Sequence, residues 1–261
     1  MVTENRIRQK IVQGPRGEII TFPPDAVFNA NKSIPPDIDL ELTGTTQLFS
    51  LGTKLEDVWG RVFRYVEYGG TIAQASMVEA EAPDGAHDDL DIVAAVVGDT
   101  AVVTTTTVSL DVNEYAQGWL LSELLVSGIA YPIKSHLVYV TAAATIQLWI
   151  PIRTSIAADA DISLVKSKYK EVIIAAAAAV AAVVGANAGT GAVDGRYGWV
   201  QTRGPAKVLT AGTAVIGEVV TVITTAGAIG PTGADDVSMR VGQVINVGPT
   251  TEWSLIDLQL E

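Results

Sequence analysis

The sequence predicts an all-β protein: a β-sandwich or barrel-like body, in one large domain or two smaller subdomains, behind an extended N-terminal arm. Three observations predict it. From Leu51 onward, short runs of Val, Ile, Thr and aromatic residues recur between glycine-bearing turns, the pattern of strands on a half-buried pleated surface. The chain holds 24 glycines and few helical periods, which suits a sandwich or barrel of short strands. The first 50 residues instead carry Pro15, Pro23, Pro24, Pro35 and Pro36 and show no sustained alternation.

The arm comes first, residues 1–50. Proline fixes φ, removes a donor and pushes the preceding residue to extended geometry, so Phe22-Pro23-Pro24 and Ile34-Pro35-Pro36 are expected in polyproline-like or turn conformation. Apolar residues such as Ile7, Ile11, Val12, Ile19, Ile20, Phe22 and Phe28 set it apart from a free linker and suggest docking. Residues 1–36 hold five basic and three acidic side chains, which leaves about -14 on the rest of a chain of net charge -12. Two readings stay open: a tail packed on its own domain, or an arm that orders on a neighbouring subunit.

The strands follow: Arg61–Val66, Ala101–Val108, Leu137–Val140, Thr145–Ile150, Gly198–Thr202, Glu218–Ile223 and Trp253–Leu258. Asn113–Val126 has near-helical spacing of Tyr115, Trp119, Leu120 and Leu124, but Gly118 and the flanking β runs favour a bulged strand. At Glu171–Val184 alanine propensity favours helix and the Val and Ile residues favour strand. Glycine and acid placement put a seam near residues 165–195, giving a first β region at 51–170 and a second at 171–261. No repeat of 20 to 50 residues marks a solenoid or propeller.

Composition narrows the function. With 48% apolar and 18% charged residues, a chain of 261 residues can bury a sizeable core. It has no cysteine, which removes disulfides and thiol catalysis. Its acidity and lack of a dense Lys/Arg cluster argue against nucleic acid as a partner. The longest uncharged apolar run, Val172–Val184, is short of the roughly 20 residues that span a bilayer, so no membrane partner is expected. The N-terminus shows no apolar run of signal-peptide length, and a soluble intracellular product is the default expectation.

Eleven acids and no Lys or Arg lie between Tyr65 and Ile133, densest in the DGAHDDLD run at Asp84, Asp88, Asp89 and Asp91. Close oxygen ligands can hold calcium, but the spacing fails the EF-hand pattern, and a solvated loop explains the same letters. His87, without a second imidazole nearby in sequence, is weak support for a transition metal. No metal or cofactor is expected. No G-x-S-x-G elbow or P-loop ending occurs, and nothing singles out a carboxylate pair, so no catalytic residue is expected. The five tryptophans, Trp59, Trp119, Trp149, Trp199 and Trp253, are expected mostly in the core, with some as interface anchors.

Leu51-Gly-Thr followed by Gly60-Arg-Val-Phe-Arg-Tyr65 resembles the opening strand pair of a group of tailed-bacteriophage virion proteins. Tyr197-Gly-Trp-Val-Gln-Thr-Arg-Gly-Pro-Ala206, Leu209–Gly217 and Trp253-Ser-Leu-Ile-Asp-Leu258 resemble the same group, so the similarity spans 51–261 in patches. The alanine run at 175–179 and the proline-bearing arm depart from it. The resemblance implies a capsid decoration, or cement, protein: non-enzymatic, often a homotrimer, binding the outer surface of the virion head and bridging major capsid subunits. In that setting apolar arm residues Ile11, Ile19, Ile20, Phe22 and Phe28 would fill grooves or augment a sheet edge, with Arg6, Arg8, Lys10 and Arg16 pairing with rim carboxylates. Two rivals remain: a tail or receptor-binding virion component, whose host-glycan contact would use tryptophans, and an all-β carbohydrate-active enzyme, which needs two carboxylates in a cleft.

Overall fold

A computed structural model of the chain describes residues 10–14, 16–22, 38–104, 109–122, 129–140, 143–158, 160–176, 181–232, 239–249 and 252–261. In chain order the strands are β1 (Lys10–Gln13), β2 (Ile19–Phe22), β3 (Lys54–Glu56), β4 (Val62–Glu67), β5 (Met77–Glu79), β6 (Leu90–Asp91), β7 (Ala101–Thr104), β8 (Trp119–Ser122), β9 (Ala130–His136), β10 (Ala144–Leu148) and β11 (Asp161–Val165). After these come β12 (Ile173–Ile174), β13 (Val183–Asn187), β14 (Tyr197–Leu209), β15 (Val219–Val222), β16 (Ile229–Pro231), β17 (Arg240–Asn246) and β18 (Trp253–Gln259). The fold is all-β, as the strand pattern predicts, and its sheets are antiparallel.

The chain forms two units, residues 1–81 with 168–261, and residues 82–167. This differs from the expected division at 50/51 and 170/171. The cause is strand pairing that sequence pattern does not encode. In the first unit the sheet runs β1-β2-β3-β4-β14-β18-β17-β15-β16, so the beginning and the end of the chain share one sheet. The second unit is an insertion into a strand pair, since β5 and β12, on either side of it in sequence, are antiparallel neighbours with Glu79 opposite Ile173.

The expected arm is corrected by the same pairing. Residues 10–22 form a hairpin, Lys10 opposite Phe22, and β2 pairs with β3 through Ile20 and Leu55. The turn is closed by the Gly14 N–H donating to the Glu18 carbonyl at 2.8 Å and the Arg16 N–H donating to the Glu18 carboxylate at 2.9 Å. Alternation on β2 sends Ile20 and Phe22 inward, where Phe22 joins Phe49, Tyr65 and Trp199 in an aromatic cluster with ring centroids 5.1–6.2 Å apart. Offset and edge-on aromatic contacts of this kind stabilise beyond simple burial.

The inserted unit is a six-stranded ring. Its order is β6-β11-β8-β9-β10-β7, and the two ends meet where Ile92 bridges Thr104 and the Val93 N–H donates to the Val103 carbonyl at 2.8 Å. This contact pairs the two outer strands with each other, which shortens the edge open to stray pairing. Period-two alternation fills the interior: Leu90, Val102, Leu120, Ile133, Ile146 and Ile162, one from each strand, are buried in a single cluster.

Three local expectations are resolved. Leu137–Val140 is not a strand, because β9 ends at His136 and only Tyr139 pairs onward, bridging Leu110. Asn113–Gly118 is a turn leading into β8, with Asn113 and Gln117 at φ of 56° and 65°. In Glu171–Val184 the described ends are strand, β12 against β5 and β13 against β5 and β14, so pairing overrides alanine propensity there. Residues 105–108 of the expected strand at 101–108, residues 123–126 and residues 177–180 lie outside the described residues.

One buried polar group ties the first unit together. Asn187, on β13, accepts from the Tyr68 hydroxyl at 2.8 Å and from the Gly189 N–H at 3.0 Å, and its amide donates to the Ala73 and Gly189 carbonyls, both at 3.0 Å. Tyr68 is wholly buried, and a Cβ at Gly198 would lie 2.9 Å from its ring, so only glycine admits it. Asn187→Ala strands the hydroxyl and the carbonyls, and leaving such groups unsatisfied costs about 1–3 kcal/mol each. Urea denaturation is expected to report a loss of at least about 2 kcal/mol, with a smaller loss in Tyr68→Phe. A second test addresses the insertion: replacing residues 82–167 by a short Gly-Ser linker should leave the β signal and cooperative unfolding of the remaining chain intact by circular dichroism.

Candidate binding groove and contact surfaces

The groove is built where three strands meet. β14 pairs with β4 through Trp199 and Tyr65, then hands over to β18, with Ala206 opposite Ile256. The handover needs Gly204, at φ of 82°, where a Cβ would sit 3.3 Å from the Arg61 backbone. Beside it opens a groove of about 510 Å³ lined by Gly60, Arg203, Gly204, Asp257, Gln259 and Glu261.

One wall is a rigid turn. The buried Asp57 carboxylate accepts from the Trp59 and Arg61 N–H groups at 3.0 and 2.9 Å and from Arg61 Nε at 2.6 Å. The Arg61 guanidinium lies 5.6 Å from the Trp59 ring and 5.4 Å from the Phe63 ring. These contacts hold the Trp59 backbone in place while its indole stays 77% exposed.

Glu261 is engaged elsewhere. Both its oxygens accept from Arg64, at 2.6 Å from Nε and 2.8 Å from Nη2, while Arg64 Nη1 donates to the Gly52 carbonyl at 2.9 Å. Burial pushes the Glu261 carboxyl up, but the Arg64 hydrogen bonds and the charges of Arg64, Lys54 and Lys168 outweigh it and hold the group below its ordinary value. A glycosidase acid must keep its proton near neutral pH. Glu261 is held in the opposite direction, which does not suit it to that role.

The expected contact residues divide. Arg6, Arg8 and Phe28 lie outside the described residues. Lys10 is on the outermost strand, β1. Ile11 and Ile19 are 66% and 48% exposed, and Arg16 is exposed on the hairpin turn. Ile20 and Phe22 are corrected: they are buried in the unit's own core and offer a partner nothing.

The tryptophan expectation is also corrected. Only Trp199 is buried; Trp59, Trp119 and Trp253 are exposed and Trp149 is half-buried. Trp253 is covered on one face by the Lys207 ammonium, 3.9 Å from its ring centroid. Sequence gave no sign of this, because the mixed alternation of β18 does not say which face meets solvent.

The acidic run does structural work. Asp84 caps a short 3₁₀ turn by accepting from the Ala86 N–H at 2.9 Å, and the Ser163 hydroxyl donates to Asp88. His87 is buried, with Nδ1 2.5 Å from the Tyr115 hydroxyl, and His136 Nε2 accepts from the Tyr115 N–H at 3.0 Å. His136 Nδ1 lies 3.1 Å from the Leu137 carbonyl, so its proton sits on Nδ1. The two imidazoles that sequence left unassigned thus grip one tyrosine from both sides. Among the described residues, no three His, Asp or Glu side chains converge as a metal site.

No family model, curated protein or solved structure matches the chain.

The Arg64–Glu261 pair has a definite pH signature. A carboxyl whose pKa is lower in the folded state contributes stability above its unfolded value, near 4.3, and loses it as pH falls through the folded value. Glu261→Gln is therefore expected to lower stability at pH 7 by ~1 kcal/mol, the scale of a well-formed bidentate pair partly open to solvent. The difference from the parent should vanish below the folded pKa, as thermal melts across pH 2–7 would show.

Proposed function

We propose that this chain is a structural virion protein that binds the outer surface of an icosahedral phage head and cements neighbouring major capsid subunits, associating with itself as a homotrimer. The observation that carries the reading is the placement of the resemblance. Three of its patches, at 60–65, 197–206 and 253–258, fall largely on β4, β14 and β18, consecutive strands of one sheet, while Leu51-Gly-Thr and most of Leu209–Gly217 lie outside them.

The surfaces suit attachment. Ile11 and Ile19 stand exposed on the hairpin at the sheet edge, next to residues 1–9 with Arg6 and Arg8. In the inserted unit Val112, Leu137, Val138 and Val140 are each more than half exposed on neighbouring segments joined by the Leu110–Tyr139 bridge. Exposed apolar groups grouped in this way serve contact with another protein better than contact with water. The inserted unit carries ten acids against three bases, a poor match for nucleic acid or an anionic bilayer and a good one for a basic protein rim.

Mass spectrometry and electron microscopy of intact particles test the assignment. Several hundred copies on the shell are expected; a few copies at the tail would support the receptor-binding alternative, and none would end both. Contact through the hairpin is tested on stripped heads. Removing residues 1–9 together with Ile11→Asp and Ile19→Asp should lower head occupancy at least tenfold, with the buried Ile20 and Phe22 left in place to keep the fold.

A further inference from the structure

We infer that the outward face of β14, β18 and β17 is where copies of this chain meet, the same face of each copy packing around a shared axis. The inference rests on the self-association proposed above and names the surface that carries it. The first observation is β18. Ser254, Ile256 and Leu258 are buried, yet the residues between and before them include Leu255 and Trp253, 39% and 48% exposed. An antiparallel strand with one solvated face alternates apolar and polar residues, whereas apolar groups on both faces mark a strand covered on both sides.

Pairing extends the face across three strands. Residues directly opposite in an antiparallel pair share a face. Leu255 is opposite Lys207 on one side and Asn246 on the other, and Trp253 is opposite Leu209. The Lys207 ammonium lies 3.9 Å from the Trp253 ring centroid, which puts both side chains on this one face. Pro205, opposite Asp257, continues it, and Ile245, beside Asn246, is 41% exposed. At the β17 side Gln243, also opposite Asp257, donates to the Gly217 carbonyl at 2.6 Å, so the turn with the exposed Val215 and Ile216 borders the same face.

Charge selects the occupant. Copies of a chain of net charge -12 repel, so contact between them favours a surface that is not itself acidic. On β14 and β18 the outward charges are Arg203 and Lys207 against Asp257, a local positive excess in which a base of one copy can meet Asp257 of the next. The exposed Val112, Leu137, Val138 and Val140 lie instead in the unit with ten acids against three bases, where like would meet like. That surface suits a basic foreign partner, and the β14–β18–β17 face suits a second copy. Cyclic symmetry presents the same patch from every copy, so Leu255, in the middle of the face, meets its own counterparts.

The full chain has no cysteine, so a single introduced thiol reports self-contact without background. Leu255→Cys and, as control, Val138→Cys are treated with a short bismaleimide. Sedimentation velocity at 1 to 100 µM gives the mass of the parent, Leu255→Asp and Val138→Asp. The expected result is a trimeric parent, covalent dimers from Leu255→Cys and not from Val138→Cys, and an about threefold fall in mass for Leu255→Asp alone. Leu255→Asp places a carboxylate opposite Lys207, a pairing the isolated sheet tolerates, and an unchanged circular dichroism spectrum separates lost assembly from lost fold. Should that variant not fold, the cross-link decides by itself. An assembled parent whose folded Leu255→Asp variant stays assembled, or a Leu255→Cys chain that cross-links no more than Val138→Cys, overturns the face and leaves self-association standing. A monomeric parent at 100 µM overturns both. Copy number on the head is counted separately, so the cement reading can fail without this inference and this inference without it.

Discussion

The handover on β14 is the constraint on which the first unit depends. Its 13 residues pair with β4 up to Arg203 and with β18 from Arg203 onward, on the opposite edge, with a register shift between Gln201 and Arg203. A strand that changes partners leaves carbonyls misaligned at the crossing, and here the Gln201 amide meets them: Nε2 lies 3.0, 3.2 and 2.9 Å from the carbonyls of Arg203, Gly204 and Pro205. The bulge, the glycine at positive φ and the buried amide are one device. It lets the hairpin-and-aromatic region near the start of the chain and the region closed by β15–β18 share a single backbone, and it opens the groove at the point where the partners change.

The inserted unit solves a different problem. Eighty-six residues placed between two paired strands must bury their own apolar surface and present no loose edge, or they would compete for pairing with the sheet they interrupt. Ring closure by Ile92–Thr104 meets the edge condition, and the single cluster drawn from all six strands meets the core condition. The His87–Tyr115–His136 contacts then anchor the turns at 85–87 and 111–117, which the strand ladder does not reach. The His136 ring is fixed by backbone, through the Tyr115 N–H and the Leu137 carbonyl, and the His87 ring by side chains, through the Tyr115 hydroxyl and Asp84.

Some strands were legible in the sequence and strand partnership was not. The alternation of Trp253–Leu258 and the Val/Phe/Tyr run at 61–66 mark β18 and β4 directly, because half-buried strands repeat every two residues. Nothing local says that both flank β14, which depends on one register shift and one amide. The prolines misdirected the reading of this region, where Ile20 and Phe22 keep the period-two signature on a strand of only four residues. Tryptophan content misdirected in the opposite sense, since indole area predicts burial on average, while the Asp57 turn holds Trp59 in solvent. For the groove, the visible signal was the Gly60-Arg61 pair beside a tryptophan; the facing Arg203, Asp257 and Gln259 enter only through folding.

The way the polar side chains are used bears on what the molecule can do. Asn187, Gln201, Asp57, Glu261 and His136 are buried or tightly held, and each has hydrogen bonds to backbone or a fixed partner, whereas His87 Nε2 and Glu79 Oε2 are buried without one. A catalytic acid or base needs a proton inventory that changes at working pH, and a group locked to a guanidinium or to several carbonyls resists that change. What remains exposed is of another kind: Trp59, Ile11, Val138 and Val140 offer apolar surface, while Arg203 and Gln259 offer hydrogen-bonding groups. Side chains of that kind suit the attachment proposed above.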